Sequence, residues 1–522
     1  MSPPSSSTSP GSVAESITTL VDWAVSLGAT LHPSVEVYDD AQTGLSFRVK
    51  PSAPHPVQAL EPIVQLPATL SLSYLDAVAQ QRQQKEQQRQ QDEAPFPEEV
   101  LAGTPPHVIG RLFLVREFLR GRSSFWWPYI QALPQPGVKN RRAWALPPFW
   151  DADEAELLDG TNVEVGIAKV RQDVQSEFAH ARKLLSACAV RDSLLDEGLT
   201  ADLYQWAYCI FASRSFRPSL VLLDACRKAL PAGVAMDDFS MLLPLLDVGN
   251  HDMTVNVRWE LDHEAEQCSL LVGKEHQPGE QVFNNYGFKT NAELLLGYGF
   301  MVPTTEALHN DYIHVRKRRS ATGGPHQSST GTPNPPSQDA SHLSNSSNAS
   351  SHEYLISLRP LAHPSTLLAR RTRQSISLPP DLPLLGSFQH VQLEMVWDIL
   401  CTLTTSPQRR LLMPVPTTGQ DQEDQEDREP NDVDSFHRRL FFSGHVGASA
   451  REVLGQTVAI IQHQLLQELE RLNETDVEVV DGDEADLTGN QRLALDYRAR
   501  CRAVLEQVLE AIDGDDVFGD DE

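Results

Sequence analysis

Three stretches of this 522-residue chain offer almost nothing to bury, and they fix where its folded units can lie. Residues 80–98 (QQRQQKEQQRQQDEAPFPE) are Gln-rich, with no large apolar side chain before Phe96. Residues 318–352 are dominated by Ser, Thr, Asn, Gly and Pro, and residues 416–434 are polar and acidic. None has the apolar periodicity needed to offset ordering entropy, so all three are expected to be disordered insertions. The same expectation covers residues 1–17 and an acidic tail at 513–522. Between these segments the sequence, 40 % apolar overall, supports at least one sizeable core.

The formal charge of −28 is concentrated in two places, residues 421–434 (net −7) and 474–522 (net −12). Both are expected to be solvated, disordered segments able to attract a basic partner. So acidic a chain is a poor generic binder of phosphate backbones, which argues against a direct nucleic-acid partner. No run approaches the ~18 consecutive apolar residues of a membrane span. The start, MSPPSSSTSPGS, lacks the basic and apolar regions of a secretory signal. The expectation is a cytoplasmic protein with no membrane partner; the short basic cluster Arg316–Arg319 alone favours the nucleus as well. The six cysteines, at 188, 209, 226, 268, 401 and 501, have no metal-site spacing and are read as buried thiols, so no metal is expected.

Short strands are predicted at Val35–Val37, Leu45–Val49 and Ile63–Leu66. Helical spacing follows over 107–132, with Ile109, Leu112, Phe113, Val115 and Phe118 on one face, and continues through 153–187 and Leu203–Ala212. Strands return at Val255–Leu261, Ser269–Val272 and Gln281–Asn284, the last after the turn Gln277–Glu280. Beyond residue 385 the pattern is helical. Leu454, Val458, Ile461, Leu465, Leu466 and Leu469 form one stripe, and Leu493, Leu495, Val504, Leu505 and Leu509 another. The order strands, helices, strands, helices describes an α+β protein: a β-rich core split by a helical block, then a helical lobe.

Phosphate-loop, dinucleotide-fold, zincin and hydrolase-elbow motifs are all missing. The densest set of polar residues inside apolar sequence is Leu242–Phe300, with LLPLLDVGNHD at 242–252 and GEQVFNNYGFKTNAELLLGYGF at 279–300. Burying Asp247, Asn250 and His251 behind a Leu/Pro-rich run costs several kcal/mol unless each is hydrogen-bonded, either to the others or to a ligand. Tyr286 and Tyr298 are each followed by glycine, and Thr290 or Asn291 can cap a helix over Ala292–Leu296 that places both tyrosines near one site.

These strings resemble the C-terminal half of a SET domain, in the subclass typified by the Rubisco large-subunit lysine methyltransferase, which includes fungal ribosomal-protein methyltransferases. Four further segments match in order: VDWAVSLGA (21–29), IVQLPATLSLSYLDA (63–77), REFLRGRSSFWWPYIQALP (116–134) and FASRSF (211–216). The resemblance implies a SET core of short β-sheets over 18–305, with a helical insert at about 100–215 and a mostly helical substrate-binding lobe over 306–512. It implies a protein-lysine N-methyltransferase using S-adenosyl-L-methionine on a non-histone protein, with a ribosomal or translation protein as the class of target. Tyr286 and Tyr298 would be catalytic. Gly44, Leu45, Arg214, Asn250 and His251 would hold the cofactor, Arg214 by its carboxylate, and Phe216 and Asp247 would line the substrate channel.

Phe216 stands where the related actin-histidine methyltransferase has an asparagine, and an apolar wall favours an aliphatic lysine stem over an imidazole. A protein-histidine methyltransferase is therefore the lesser enzymatic reading. The family's G-x-G turn appears as Gly44-Leu45-Ser46. A serine at a position needing positive φ would be strained, which keeps open a third reading, a non-catalytic binding protein of the same fold.

Overall fold

The computed structural model describes residues 13–78, 96–188, 192–222, 230–262, 264, 266–316, 353–372, 388–413, 436–441, 447–477 and 487–514. The Gln-rich run to residue 95, residues 318–352 and 416–434, Cys226, residues 1–12 and the last eight residues lie outside this set. Two expected boundaries move. Helix α1 (Val13–Ser26) starts inside the segment read as disordered, because Leu20 and Ala24 recur at helical spacing and are buried. Phe96 is also buried, and a short helix begins at Glu98, so the Gln-rich insertion ends before residue 96.

Every paired strand is antiparallel. Strands β1 (Thr30–Leu31), β2 (Val35–Asp40), β3 (Gly44–Val49), β4 (Pro62–Pro67) and β5 (Leu72–Ser73) come first. Strands β6 (Ser215–Phe216), β7 (Met241–Leu242), β8 (Val257–Asp262), β9 (Gln267–Val272) and β10 (Gln281–Val282) follow the helical block. They interleave as β1-β4-β9-β8, β10-β3-β2 and β5-β7-β6. Strands from before and after the block therefore close one core. In the third sheet Leu242 pairs with both Leu72 and Ser215, which sets the S-R-S-F segment beside the Asp247 loop.

Between β5 and β6 run α2 (Pro106–Arg120), α3 (Glu164–Ala187) and α4 (Ala201–Arg214). Pro106 at the first position and Gly121 (φ +56) just past the end delimit α2. Of its expected face, Ile109, Leu112, Phe113 and Val115 are fully buried. A polar cluster pins the three helices. Glu177 of α3 pairs with Arg111 of α2 and accepts from the Tyr204 hydroxyl of α4 at 2.9 Å, and His107 lies 3.2 Å away. Burial alone would raise the Glu177 pKa, but Arg111, His107 and Tyr204 hold it at about 2.

The final region opens with a hairpin that the sequence reading missed, β11 (Tyr312–Arg316) with β12 (Glu353–Ser357). The low-complexity segment separates its two strands, so no local turn signal announces them. After α5 (Asn291–Tyr298), described below, come α6 (Leu393–Leu403), α7 (Arg451–Glu474) and α8 (Gly489–Gly514). On α7, Leu454, Ile461 and Leu465 are buried, but Leu466 is exposed, because the buried stripe is too narrow to include it. Residues 489–514 fall within the 474–522 segment expected to be disordered but are balanced in charge and ordered: Ala494, Tyr497, Cys501, Val504, Leu505 and Val508 make α8 part of the core. Five cysteines are described, all as free thiols, and no helix among the described residues is long and apolar enough to cross a membrane.

The clamp between α7, α8 and the helical block is tight. Arg498 donates to the carbonyls of Leu157, Asp159 and Leu472, and the Thr475 hydroxyl donates to Asp159 O at 2.9 Å. Gly160 (φ +77) lies against it, and a Cβ there would stand 2.1 Å from Thr475 Oγ1 and 2.7 Å from Arg471 O. Gly160→Ala is expected to destabilise the protein by about 2–5 kcal/mol, backbone strain adding to overpacking. Gly233→Ala is the control, since Gly233 has φ +85 but open space around its Cβ. Thermal melts should show the larger drop for Gly160→Ala; equal drops would reject the clamp.

Candidate active site

Residues from five distant segments line one cleft. Arg214, Ser215 and Phe216 come from the end of α4 and β6, and Asp247 and Gly249 from the loop after β7. Trp259 comes from β8, Asn284 to Tyr286 follow β10, and Tyr298 ends α5. The helix α5 begins one residue before and ends two residues after the expected Ala292–Leu296. Thr290 is the cap: its hydroxyl accepts from Glu293 N at 3.2 Å while Glu293 accepts from Thr290 N at 2.7 Å. Gly299 (φ +76) ends the helix right after Tyr298. The Tyr286 and Tyr298 rings stack at 5.1 Å.

Asn291 does a different job. Its amide donates to Asp311 Oδ1 at 2.7 Å and to Val302 O at 3.1 Å, while Val302 N returns a bond at 2.9 Å. Arg500 of α8 donates to the same Val302 carbonyl at 3.2 Å and pairs with Asp311 at 3.3 Å. A polar strut therefore runs from α8 to the first turn of the helix that carries Tyr298.

The cleft wall holds an ion pair between buried Asp247 and half-buried Arg214. Asp247 Oδ2 accepts from the Tyr129 hydroxyl at 2.9 Å and from Arg214 Nη1 at 3.4 Å. Burial raises the Asp247 pKa, opposed by Arg214 and Tyr129, and burial pushes the Tyr129 hydroxyl far up. Arg214 also donates to Asp247 O, so one of its nitrogens is engaged within the protein, an arrangement the reading of it as a carboxylate clamp did not include. The Tyr286 hydroxyl donates to Gly249 O at 2.9 Å, and burial raises its pKa to about 12, so it stays protonated at neutral pH.

Arg214, Phe216, Asp247, Tyr286 and Tyr298 meet in this cleft; Gly44, Leu45, Asn250 and His251 adjoin it without lining it. His251 stacks on Tyr286 at 5.0 Å, and its Nδ1 accepts from Tyr286 N at 3.0 Å, which assigns the ring proton to Nε2. That Nε2 is buried and has no partner among the described residues, a donor left over for a bound group. Burial lowers the His251 pKa to about 4, so the ring is neutral at pH 7. Asn250 donates to Leu45 O at 3.2 Å and to Ser46 Oγ at 2.5 Å. Gly44 (φ +70) joins the group through its carbonyl, which accepts from Ser46 at 3.0 Å. Instead of continuing a strand to Asn284, β10 stops at Val282, and Asn284 forms a parallel bridge with His251, which fixes the two segments side by side.

Tyr129, Trp259, Asn284 and Asn285 were not singled out from the sequence. Tyr129 sits in the string Trp126-Trp127-Pro128-Tyr129-Ile130, where a hydroxyl among apolar neighbours is the one signal that marks it, since a buried phenol needs a hydrogen-bond partner. Nothing local marks Trp259, whose ring packs on Phe216 at 5.2 Å through sheet geometry alone.

No family model matches the chain. Among curated proteins it is 30% identical to the ribosomal lysine N-methyltransferase set10 of Schizosaccharomyces pombe, over 40% of this chain and 35% of that one. It is 26% identical to the protein-lysine N-methyltransferase EFM1 of Saccharomyces cerevisiae, over 54% of this chain and 48% of that one. The human actin-histidine N-methyltransferase matches at 25% over 37% of this chain and 30% of its own. The chain thus spans half or less of the length of these relatives. Solved structures match far more of it. The SET domain of LSMT bound to lysine and AdoHcy superposes with a TM-score of 0.57 at 18% identity, covering 97% of this chain and 92% of that one. Rubisco LSMT bound to AdoMet gives 0.54 at 17%, covering 96% and 92%. Small interleaved antiparallel sheets, a helical block between them and the paired 250 and 285 segments are thus one known architecture: the chain has the SET-domain fold of the Rubisco LSMT type.

Proposed function

We propose that this protein transfers a methyl group from S-adenosyl-L-methionine to a lysine side chain of a non-histone protein. The observation that carries the reading is the stacked Tyr286–Tyr298 pair in a cleft walled by Phe216 and Trp259, with the unpartnered His251 Nε2 behind it. When bound, S-adenosyl-L-methionine supplies a methyl group activated by its sulfonium. Asn250, His251, Leu45 and Gly44 form the cradle for it, with Arg214 beside them.

Phe216, Leu220 and Trp259 exclude water from the acceptor side, which favours the neutral form of an entering amine. They offer an imidazole ring little to bond, so the lysine reading stands above the histidine one. Tyr286, held by Gly249 O, presents its hydroxyl oxygen at a fixed place for orienting the amine, and Tyr298 walls the same space. Asp247 is anchored by Tyr129 and Arg214, and this keeps the wall beside the tyrosines in register.

A ribosomal or translation protein is the target class we favour, supported by the name of the set10 relative and by the acidity of this chain, which suits basic substrates. The test is transfer of labelled methyl from S-adenosyl-L-methionine to a ribosomal-protein fraction, followed by acid hydrolysis. Label in methyllysine is expected. Label in methylhistidine, or no transfer to any protein fraction, would overturn the reading.

A further inference from the structure

Ser46 stands where the family turn has a glycine, and the structure shows why a side chain is accommodated. Its backbone is ordinary extended strand, paired with Tyr38 of β2, and only Gly44 in this turn has positive φ. The hydroxyl is fully buried. It accepts from Asn250 Nδ2 at 2.5 Å and from Gln281 Nε2 at 3.1 Å, and it donates to Gly44 O at 3.0 Å, with Thr43 Oγ1 also 3.0 Å away. One oxygen thus joins the start of β3, the Asn250 loop and β10.

The consequence falls on Asn250. With Leu45 O and Ser46 Oγ taking both protons of its amide nitrogen, the orientation of the side chain is fixed. The carbonyl Oδ1 has no partner among the described residues, which leaves it as the acceptor available to a ligand. Because Oδ1 is an acceptor, its complement is an N–H donor, which S-adenosyl-L-methionine has in its amino groups.

We propose that Ser46 is a positioning residue for the methyl-donor cradle, locking the Asn250 amide so that Oδ1 faces an N–H of the cofactor. This rests on the methyl-transfer reading above. A half-buried amide deprived of its acceptor can turn over or draw in water, and either outcome removes the preorganised oxygen. The replacement of glycine is then a compensated change rather than a lesion.

The experiment is calorimetric titration of the full chain with S-adenosylhomocysteine, for wild type, Ser46→Ala, Asn250→Ala and the double variant, each with a thermal melt. Ser46→Ala is expected to weaken binding about tenfold, and to have no further effect once Asn250 is alanine. Wild-type affinity in Ser46→Ala, or losses that add in the double variant, would overturn the inference, since a merely structural serine acts independently of Asn250. If Ser46→Ala does not fold, Asn250→Asp keeps the acceptor and the size but loses the locking nitrogen. Weaker binding is then expected, and equal or tighter binding overturns the proposal. A folded wild type that binds no S-adenosylhomocysteine at millimolar concentration overturns the methyl-transfer reading itself, and the inference with it.

Discussion

Replacing Tyr286 by phenylalanine should lower the rate of methyl transfer by about 10²–10³-fold while leaving S-adenosylhomocysteine affinity within about twofold. The ring would keep its stacking on His251 and Tyr298, so the shape of the site survives. Only the hydroxyl oxygen goes, and with it the 2.9 Å bond to Gly249 O, a stability loss of about 1 kcal/mol. Single-turnover rates and calorimetry on the same preparation separate the two effects. A variant with an undiminished rate would remove Tyr286 from the chemistry, whereas parallel loss of rate and affinity would make it part of the cradle. Because the hydroxyl titrates only near pH 12, its own ionisation should leave no mark on a rate profile between pH 6 and 10.

The second large effect lies among residues that do not line the cleft. Glu177→Ala removes the carboxylate that neutralises the buried Arg111 and takes a hydrogen-bond partner from His107 and from the Tyr204 hydroxyl. Removing one member of a buried ion pair typically costs 3–5 kcal/mol, so a loss of about that size is expected in urea unfolding. The same group gives a pH signature. Its carboxyl is depressed from 4.5 to about 2, so the stability it contributes is fully present above the unfolded value and is lost as pH falls from about 4.5 toward 2. Wild type should therefore lose stability across that window more steeply than Glu177→Ala. Parallel acid limbs would show that the pair is not what holds the three helices.

The elements that could be read from sequence were those whose signal is local. Short apolar runs gave β2, β3, β4 and β9, and the 109, 112, 113, 115 spacing gave α2. The capping box at Thr290 placed α5. The site residues carried by short strings, Arg214, Asp247, Tyr286 and Tyr298, meet in one cleft. The pairing of Arg214 with Asp247 was out of reach, because it depends on β6 and β5 both lying against β7 rather than on any spacing. Trp259 escaped for the same reason. The hairpin β11–β12 was hidden because its strands are separated by residues 317–352, which carry no pattern at all. At Ser46 the sequence suggests strain, but the backbone is unstrained, and what matters is a hydroxyl two of whose partners, Asn250 and Gln281, lie more than 200 residues away.

The strut from Arg500 through Asp311 to Asn291 changes what counts as the smallest working unit of this protein. Every side chain that lines the cleft lies before residue 300, and an excision drawn by sequence likeness alone would stop near residue 305. Such a fragment would contain the whole cleft yet lack both Asp311 and the Arg500 that holds it, and with them the acceptor that steadies Asn291 in the first turn of the helix ending in Tyr298. Lesions in the last helix should then look, in an activity assay, like lesions in the cleft, with no substrate-docking defect needed to explain them.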